Sequence, residues 1–277
     1  MVSRGVSVVI PVHNGMPFLP QTLNSVRNQS QSVDQILVME NASTDGTLDF
    51  LSSQADIELK IQPKLVSPAQ NWSDAIRAAR YEFVKILCAD DLLEHDCIER
   101  QSAVLRHFQD CSITAGRRRV ILESGRELVK AHGMKGLVGL LPRNEAIKTI
   151  GLRGQNPFGE VSAILFRTSN IQSHLPWPDE YGYATDIAMY LRLLKESDIF
   201  CDPNVVCSFR LGRSSWSYRS QKEQARDLIL LLDEAREAGI MTTSRFGKWK
   251  GLTLAKLRQV QRMCLYIFIG LLEKQKS

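Results

Sequence analysis

Phe83-Val84-Lys85-Ile86-Leu87-Cys88-Ala89-Asp90-Asp91-Leu92-Leu93 is the stretch that decides how this chain folds. Residues 83–87 form an apolar run interrupted by Lys85, of a length that suits a buried strand, and the run delivers two adjacent carboxylates at its C-terminal end. In an α/β sheet, ligands sit beyond the C-terminal strand ends, and paired carboxylates there suit a hard divalent cation with the phosphate it carries. The same residues also read as a helix cap, with Asp91 capping a turn near Leu92 to Asp96.

Working back toward the N-terminus, the apolar run Val6 to Val12 is stopped by Pro11 and His13-Asn14-Gly15, as for a strand buried on both faces of a parallel sheet. Leu19, Leu23 and Val26 recur at helical spacing. Ile36-Leu37-Val38-Met39 is a second strand, closed by the loop Glu40-Asn41-Ala42-Ser43-Thr44-Asp45-Gly46, whose hydroxyls or carboxylate can start the next helix. Ile57 to Ile61 reads as a third strand. A helix over Pro68 to Arg80, with Trp72, Ile76 and Ala79 on one face, leads back to Phe83. The order β-α-β-α-β-α-β is that of a doubly wound, mostly parallel sheet related to the Rossmann fold. The strand ends carry His13-Asn14, Glu40-Asn41 and Asp90-Asp91.

Downstream the pattern becomes mixed. Cys97 to Phe108 is helical in spacing, and Arg117 to Leu122 and Glu127 to Ala131 form two strands joined through Ser124-Gly125. Gly133 to Pro142 is expected as a mobile loop, with Asn144 capping a short helix that ends near Gly151. Val161 to Phe166 and Val205 to Leu211 are strand-like, and Ala184 to Lys195 is helical. Two helices, Gln221 to Ala238 and Lys248 to Lys274, follow around a loop at Gly239 to Gly247. The expected organisation is an α/β unit over 1–220, divided into halves at 1–110 and 111–220, with a C-terminal helical extension over 221–277.

The 277 residues carry 44% hydrophobic and 23% charged side chains, the profile of an ordinary globular chain. A formal charge of +5 spread over the chain, with no basic stripe interleaved with aromatics, does not support nucleic-acid binding. The six cysteines show no CxxC pair, so reduced, packed thiols are expected. The N-terminus enters a strand with no secretory-signal pattern, and the expected location is cytoplasmic. The apolar run Met263 to Leu272 is too short to span a bilayer. It reads as a packed terminal helix or dimer interface; with Lys248, Lys250, Lys256, Arg258 and Arg262 ahead of it, it also reads as a peripheral contact at the inner face of an anionic membrane.

Val8-Val9-Ile10-Pro11-Val12-His13-Asn14-Gly15, Glu40-Asn41-Ala42-Ser43-Thr44-Asp45-Gly46-Thr47, Asn71-Trp72 and the Phe83 to Asp91 stretch together resemble the glycosyltransferase family 2 enzymes, whose nucleotide-sugar-binding fold is called GT-A. The resemblance implies a GT-A-like fold and a metal-dependent, inverting transfer of a sugar from a nucleotide diphosphate donor to a hydroxyl acceptor, in polysaccharide or glycoconjugate synthesis. It implies that Asp90 binds Mg²⁺ or Mn²⁺ directly and that Asp91 assists through the ribose, a water or orientation of the site. Relatives often carry an acid where this chain has Cys88, and a thiol is a poor ligand for Mg²⁺. Glu40 falls where the family reads base or ribose; its carboxylate can accept from an imide N–H, which favours a UDP-sugar. Asn41 replaces another common acid, and Asp45 reads as a turn former. Pro11, His13, Asn14 and Asn71 fall at the nucleotide pocket, whereas Trp72 reads as helix packing.

The resemblance also implies a catalytic base in Tyr183-Ala184-Thr185-Asp186-Ile187, where Asp186 matches the second acid of the family's pair and Thr185 replaces the first. As a helix N-terminal acid, Asp186 also has an ordinary structural reading. Arg210 and Arg213, with Ser214-Ser215, fall near the family's phosphate-closing loop and read either as diphosphate donors or as a solvated basic loop. The acceptor is expected to be a hydroxyl, including that of a lipid-linked glycan. Two other functions fit parts of the pattern: a non-catalytic nucleotide-sugar-binding or scaffold protein, favoured by Cys88 and Thr185, and a sugar-phosphate nucleotidyltransferase, disfavoured because His13-Asn14-Gly15-Met16 is not a glycine-rich phosphate loop.

Overall fold

The computed structural model of the protein describes residues 3–212, 216–220 and 222–274. The apolar run near the N-terminus becomes β1 (Ser3–Val12), buried from residue 5 onward because strands flank it on both sides. On one side β2 (Gln35–Glu40) runs parallel, from Ser7 opposite Gln35 to Val12 opposite Glu40. On the other, β4 (Tyr81–Ile86) runs parallel as far as Val9 opposite Ile86, so Pro11 lies beyond the last pair of that ladder, where its missing N–H costs nothing to β4. β3 (Glu58–Ile61) closes this edge, parallel to β2.

Three helices make the crossovers, α1 (Leu19–Arg27), α2 (Thr47–Ser52) and α3 (Pro68–Arg77). Each needs an apolar face to lie on the sheet, and α1 supplies Leu19, Leu23 and Val26. α3 begins where Ser67 accepts from the Gln70 N–H and Pro68 takes the first helical position. It ends three residues earlier than its spacing predicts, because the Arg80 N–H is captured by Ser7 Oγ from the middle of β1 and Gln35 Oε1 from the start of β2.

Beyond Asp91 the sheet turns mixed. β9 (Ile164–Arg167) is inserted antiparallel between β4 and β6 (Cys111–Leu122), and β6 pairs in parallel with β10 (Asp198–Leu211). Residues Leu92–Leu93 form β5 on the far side of β10, giving the order β3-β2-β1-β4-β9-β6-β10-β5. Helix α4 (Cys97–His107) covers one face, and β7 (Glu127–His132) folds back on β6.

Two expectations for the middle of the chain are corrected. The glycine-rich segment 133–142 is not a bare loop: β8 (Gly139–Leu141) pairs with β10, and Met134 is buried in the core. Asn144 does not cap α5 (Arg143–Arg153); the helix starts at Pro142, and the carboxylate of Asp198 accepts from the Arg143 N–H instead. The run from Val161 also begins as a 3-10 turn, Val161–Ala163, which brings the Ser162 hydroxyl to the Cys88 N–H before β9 starts.

The remaining elements are α6 (Thr168–Ser173), a 3-10 turn at Gly182–Ala184, α7 (Thr185–Leu194), α8 (Trp216–Arg219), α9 (Gln224–Glu237) and α10 (Arg245–Lys274). The C-terminal helices share the main core with the sheet: Leu228, Leu232 and Ala255 pack in the same apolar cluster as Ile76, Ile150, Ile187 and Leu191. Each such leucine or isoleucine contributes about 1.5–3 kcal/mol by burial. Helices α5 and α10 cross at contact distance through glycines, since a Cβ on Gly251 would lie 2.1 Å from the Gly151 carbonyl oxygen.

Candidate active site

The acidic pair sits in a turn closed by the Asp91 N–H donating to the Cys88 carbonyl. Two long-range braces hold it. The Thr22 hydroxyl of α1 lies 2.9 Å from the carbonyl oxygens of both Ala89 and Asp91. Arg210, only 2% exposed, donates from its backbone N–H to Asp91 Oδ1 at 2.9 Å and from Nε to the Asp90 carbonyl at 2.8 Å. Its remaining nitrogens reach Gln21 Oε1 and the Leu122 and Glu123 carbonyls, and the guanidinium lies 4.5 Å from the centre of the Phe18 ring.

These contacts correct two readings. Arg210 is spent on holding the acidic turn and is not a free diphosphate donor. Asp91 does not cap a helix: Leu92–Leu93 extend as β5, and α4 starts only after Asp96. Arg213 and Ser214-Ser215 lie outside the described residues. Burial pushes the Asp90 carboxyl above the ordinary range, with Arg210 opposing; burial and then the neighbouring Asp90 push Asp91 well above it.

Asp90 opens onto a cavity of about 120 Å³ that also receives Asp186. The walls are largely apolar, from Trp72 of α3, Phe209 of β10, Val161 and Ile187, with Tyr183 beside them. Asp186 stands in the first turn of α7, where the helix dipole favours its charge, but burial raises its pKa to about 8 and the carboxylate of Glu160 adds to the rise. Arg118 opposes that rise and is itself paired with Glu160, donating from Nη2 to Oε1 at 3.0 Å, with Nε in ion-pair contact with Oε2. The Thr185 hydroxyl, in the place of the expected first acid, donates to the Pro178 carbonyl and ties down the loop ahead of α7. Cys88 also lines the cavity; burial, then the charges of Asp91 and Asp90, raise its thiol well above the usual value, so it stays neutral.

The cavity wall includes residues that sequence reasoning missed. Trp72 packs edge-on to Trp177, ring centres 5.0 Å apart, so its packing role and its place in the wall coexist. Tyr183 is set by the C-terminal helices: Asp227 of α9 accepts its N–H at 3.1 Å, and Arg262 of α10 lies 5.5 Å from the centre of its ring. Gly182 permits this approach, since it adopts φ +47 and a Cβ there would lie 2.5 Å from Asp227 Oδ2. Glu160 was legible only as part of a segment leading to Asp186. A charged residue on an apolar stretch was the available signal.

The remaining predicted residues gather elsewhere, at the ends of β1 and β2. Pro11 is buried within β1, while His13 and Asn14 are exposed. His13 Nδ1 is 2.8 Å from the Asn41 carbonyl, and Asn14 Oδ1 accepts from the Thr44 N–H at 2.8 Å. Glu40 is 1% exposed, and its two carboxylate oxygens accept from the Ala42 and Ser43 N–H groups, the kind of loop-forming role that the sequence suggested for Asp45. Asp45 does form such bonds, to Thr47 and Met16. Asn41 exchanges two hydrogen bonds with the backbone of Val66, and Asn71 donates to the Met39 carbonyl. The result is a stiff, polar rim beside the acidic turn.

For a divalent cation, the fitting donors are Asp90 and Asp91. Asp91 Oδ2 is buried without a well-formed hydrogen bond, although the Ser162 hydroxyl eases the charge of its carboxylate, and a cation or its water would satisfy it. Among the described residues no three His, Cys, Asp or Glu side chains gather as a metal cage. Mg²⁺ does not require one, since it is commonly held by one or two carboxylates with water and substrate phosphate completing its shell.

Comparison with known proteins agrees with this geometry. Over 100 residues the chain is 25% identical to an uncharacterized glycosyltransferase of Haemophilus influenzae and 29% identical to the putative teichuronic acid biosynthesis glycosyltransferase TuaG of Bacillus subtilis; each match covers 35% of this chain and 40% of the relative. The chain thus matches about two-fifths of the length of these relatives. Its fold is similar to S. aureus TarS 1-349 in complex with UDP-GlcNAc, with TM-score 0.66 and 17% identity over 91% of this chain and 71% of that one. It is likewise similar to the mannosyltransferase PcManGT from Pyrobaculum calidifontis in complex with GDP-Man and Mn²⁺, with TM-score 0.63 and 17% identity over 92% and 70% of the two chains. The GT-A-type sheet, the acidic turn at its fourth parallel strand end and a family profile that matches residues 7–174, more than half of the sequence, lead to one assignment: the chain belongs to glycosyl transferase family 2.

Proposed function

We propose that the protein transfers a sugar from a nucleotide diphosphate donor, a UDP-sugar by preference, to a hydroxyl acceptor with inversion at the anomeric carbon. The product would be a polysaccharide or glycoconjugate, with a lipid-linked glycan among the acceptors. The observation that carries this reading is that Asp90, in the turn after β4, and Asp186, in the first turn of α7, open onto one apolar-walled cavity. The nucleotide complexes of the two fold neighbours support a donor of this class.

In this reading the polar rim formed by His13, Asn14, Glu40, Asn41 and Asn71, with Pro11 beneath it, shapes the nucleotide side. Asp90, with Asp91 behind it, holds Mg²⁺ or Mn²⁺. The bound cation supplies positive charge against the diphosphate. Arg213, the remaining sequence candidate, is proposed to add a forked donor to the same phosphates. Asp186 takes the proton of the acceptor hydroxyl; the hydroxyl oxygen forms a bond to the anomeric carbon, and the bond to the diphosphate breaks with its electron pair leaving on phosphate. A carboxyl with pKa near 8 is a stronger base than an ordinary aspartate, and aromatic walls exclude the water that would compete with the acceptor.

The test is donor consumption measured on UDP- and GDP-sugars with a panel of glycan acceptors, with and without Mn²⁺, alongside thermal shift with UDP. Metal-dependent turnover, and a UDP stabilisation that needs both Mn²⁺ and Asp90, are the expected results. The second reading, a nucleotide-sugar-binding protein without turnover, draws on Cys88 and Thr185 standing where relatives carry acids. Donor binding without turnover, unchanged by Asp186→Asn, would select it.

A further inference from the structure

Helix α10 is apolar on two opposite faces, and only one of them is used by the fold. At 100° per residue, Gly251, Ala255, Tyr266 and Ile269 lie on the side packed against the rest of the chain, each of them buried. The opposite side carries Phe246, Trp249, Leu257, Val260 and Ile267, at steps of three, seven or eight residues that keep one helix face, with exposures between 50% and 69%. Thr253 and Cys264, also exposed, fill the gaps in the same stripe. From Phe246 to Ile267 it is about 32 Å long. Scattered exposed apolar residues need no explanation, but a continuous stripe of this length on one helix marks a contact surface.

Charge decides what that surface meets. From Arg245 to Gly270 the sequence holds six basic residues and no acidic one. Lys248 turns toward α9 and pairs with Asp233, and Arg262 faces Tyr183, while Arg245, Lys250 and Lys256 are exposed along the two edges of the apolar stripe. Two copies meeting through this face would set those cations against one another with no carboxylate between Arg245 and Gly270 to answer them. An anionic bilayer surface answers all of them at once. Apolar side chains enter the acyl boundary, and the lysine stems lie along it with their ammonium groups at the headgroups.

We propose that α10 docks the protein flat on an anionic lipid bilayer through the Phe246 to Ile267 stripe. It lies on the surface and does not cross it, as no helix among the described residues is long and apolar enough to span a membrane. The inference is independent of the transferase reading, because it uses no residue of the cavity.

The experiment is co-sedimentation of the full chain with vesicles of phosphatidylcholine alone or with phosphatidylglycerol, together with Trp249→Glu/Val260→Glu and Lys250→Glu/Lys256→Glu variants. Binding to the phosphatidylglycerol vesicles, weakened by salt and reduced about tenfold or more by either variant, is expected. Both pairs point away from the core, so thermal melting should be unchanged and loss of binding cannot be ascribed to unfolding. Equal binding to both vesicle types, binding that neither variant changes, or no binding would overturn the proposal. So would a lipid-free dimer in sedimentation equilibrium that the Trp249→Glu/Val260→Glu variant converts to monomer, since a second copy would then own the stripe.

Discussion

The acidic turn and the Asp186 helix face the same cavity, and burial raises the carboxyls of both, but only the turn is held by a clamp of fixed donors. At Asp90-Asp91 the chain surrounds the turn with fixed donors: Thr22 from α1 and both the backbone and side chain of Arg210 from β10 hold its carbonyls and one carboxylate oxygen. At Asp186 the surroundings are mostly apolar, a second carboxylate stands nearby, and the opposing cation, Arg118, is already paired with Glu160. A group that must hold position gains from clamping. A group that must gain and lose a proton gains from an environment that keeps its two states close in free energy near neutral pH.

If that contrast is right, the largest effect belongs to the proton. Asp186→Asn should lower kcat by about 10³-fold or more while leaving the UDP-induced thermal shift intact, because the substitution removes a base and keeps the shape. Loss of nucleotide binding in this variant would mean that Asp186 belongs to the donor site instead.

The clamp should show its effect in stability and in donor binding together. Arg210→Met removes the guanidinium bonds to the Asp90, Leu122 and Glu123 carbonyls and the contact over Phe18, leaving buried acceptors unpaired. A loss of about 3 kcal/mol in denaturant unfolding is expected. At temperatures where the variant is folded, its Mn²⁺-dependent UDP stabilisation should also fall. Thr22→Val, which removes a single hydroxyl from the same turn, should cost about 1 kcal/mol. Should Arg210→Met bind nucleotide as wild type does, the turn holds its geometry without the clamp.

How much of this was legible in the sequence follows the range of the interactions involved. β1 to β4 and their crossovers were readable because each is set by its own apolar period and by turn residues next to it. β8 was not, since Gly139-Leu140-Leu141 has no strand pattern of its own and is extended by pairing with the edge of β10. The positions of Asp90 and Asp186 could be named, but their meeting in one cavity depends on β9 and β10 being threaded into the sheet. Arg210 was misread for the same reason: only the fold shows that Asp91 and β10 face each other. Asp45 and Glu40 differ more subtly. Asp45 followed the local turn rule, whereas Glu40, at the end of a buried strand, read as a ligand group and its carboxylate also bends back to the Ala42 and Ser43 amides of the loop.

The electrostatic side of the comparison predicts a pH profile. Turnover should rise with pH and level off near pH 8, as Asp186 loses its proton. Glu160→Gln removes the nearby negative charge and leaves Arg118 to act on Asp186 alone, so the rising limb should move to lower pH. A rate increase of up to about tenfold relative to the variant's own plateau is expected near the foot of the profile. A limb that does not move would place the cause in burial only.

The same titration also acts on stability, with a sign opposite to that on activity. A carboxyl whose folded pKa is raised binds its proton more tightly in the native state than in the unfolded chain, where it titrates near 4. The stabilisation from this difference is complete below about pH 4 and is lost as pH rises through the folded value of about 8. Wild type therefore carries an uncompensated charge at alkaline pH that an amide does not. In metal-free protein, Asp186→Asn should match wild type near pH 5, apart from a constant offset, and gain on it by about 1–2 kcal/mol toward pH 9, a figure discounted for the partial exposure of the site. Thermal melts across that range read the difference directly: parallel curves would show that Asp186 is ionised at little cost, and the contrast with the clamped turn would then rest on geometry alone.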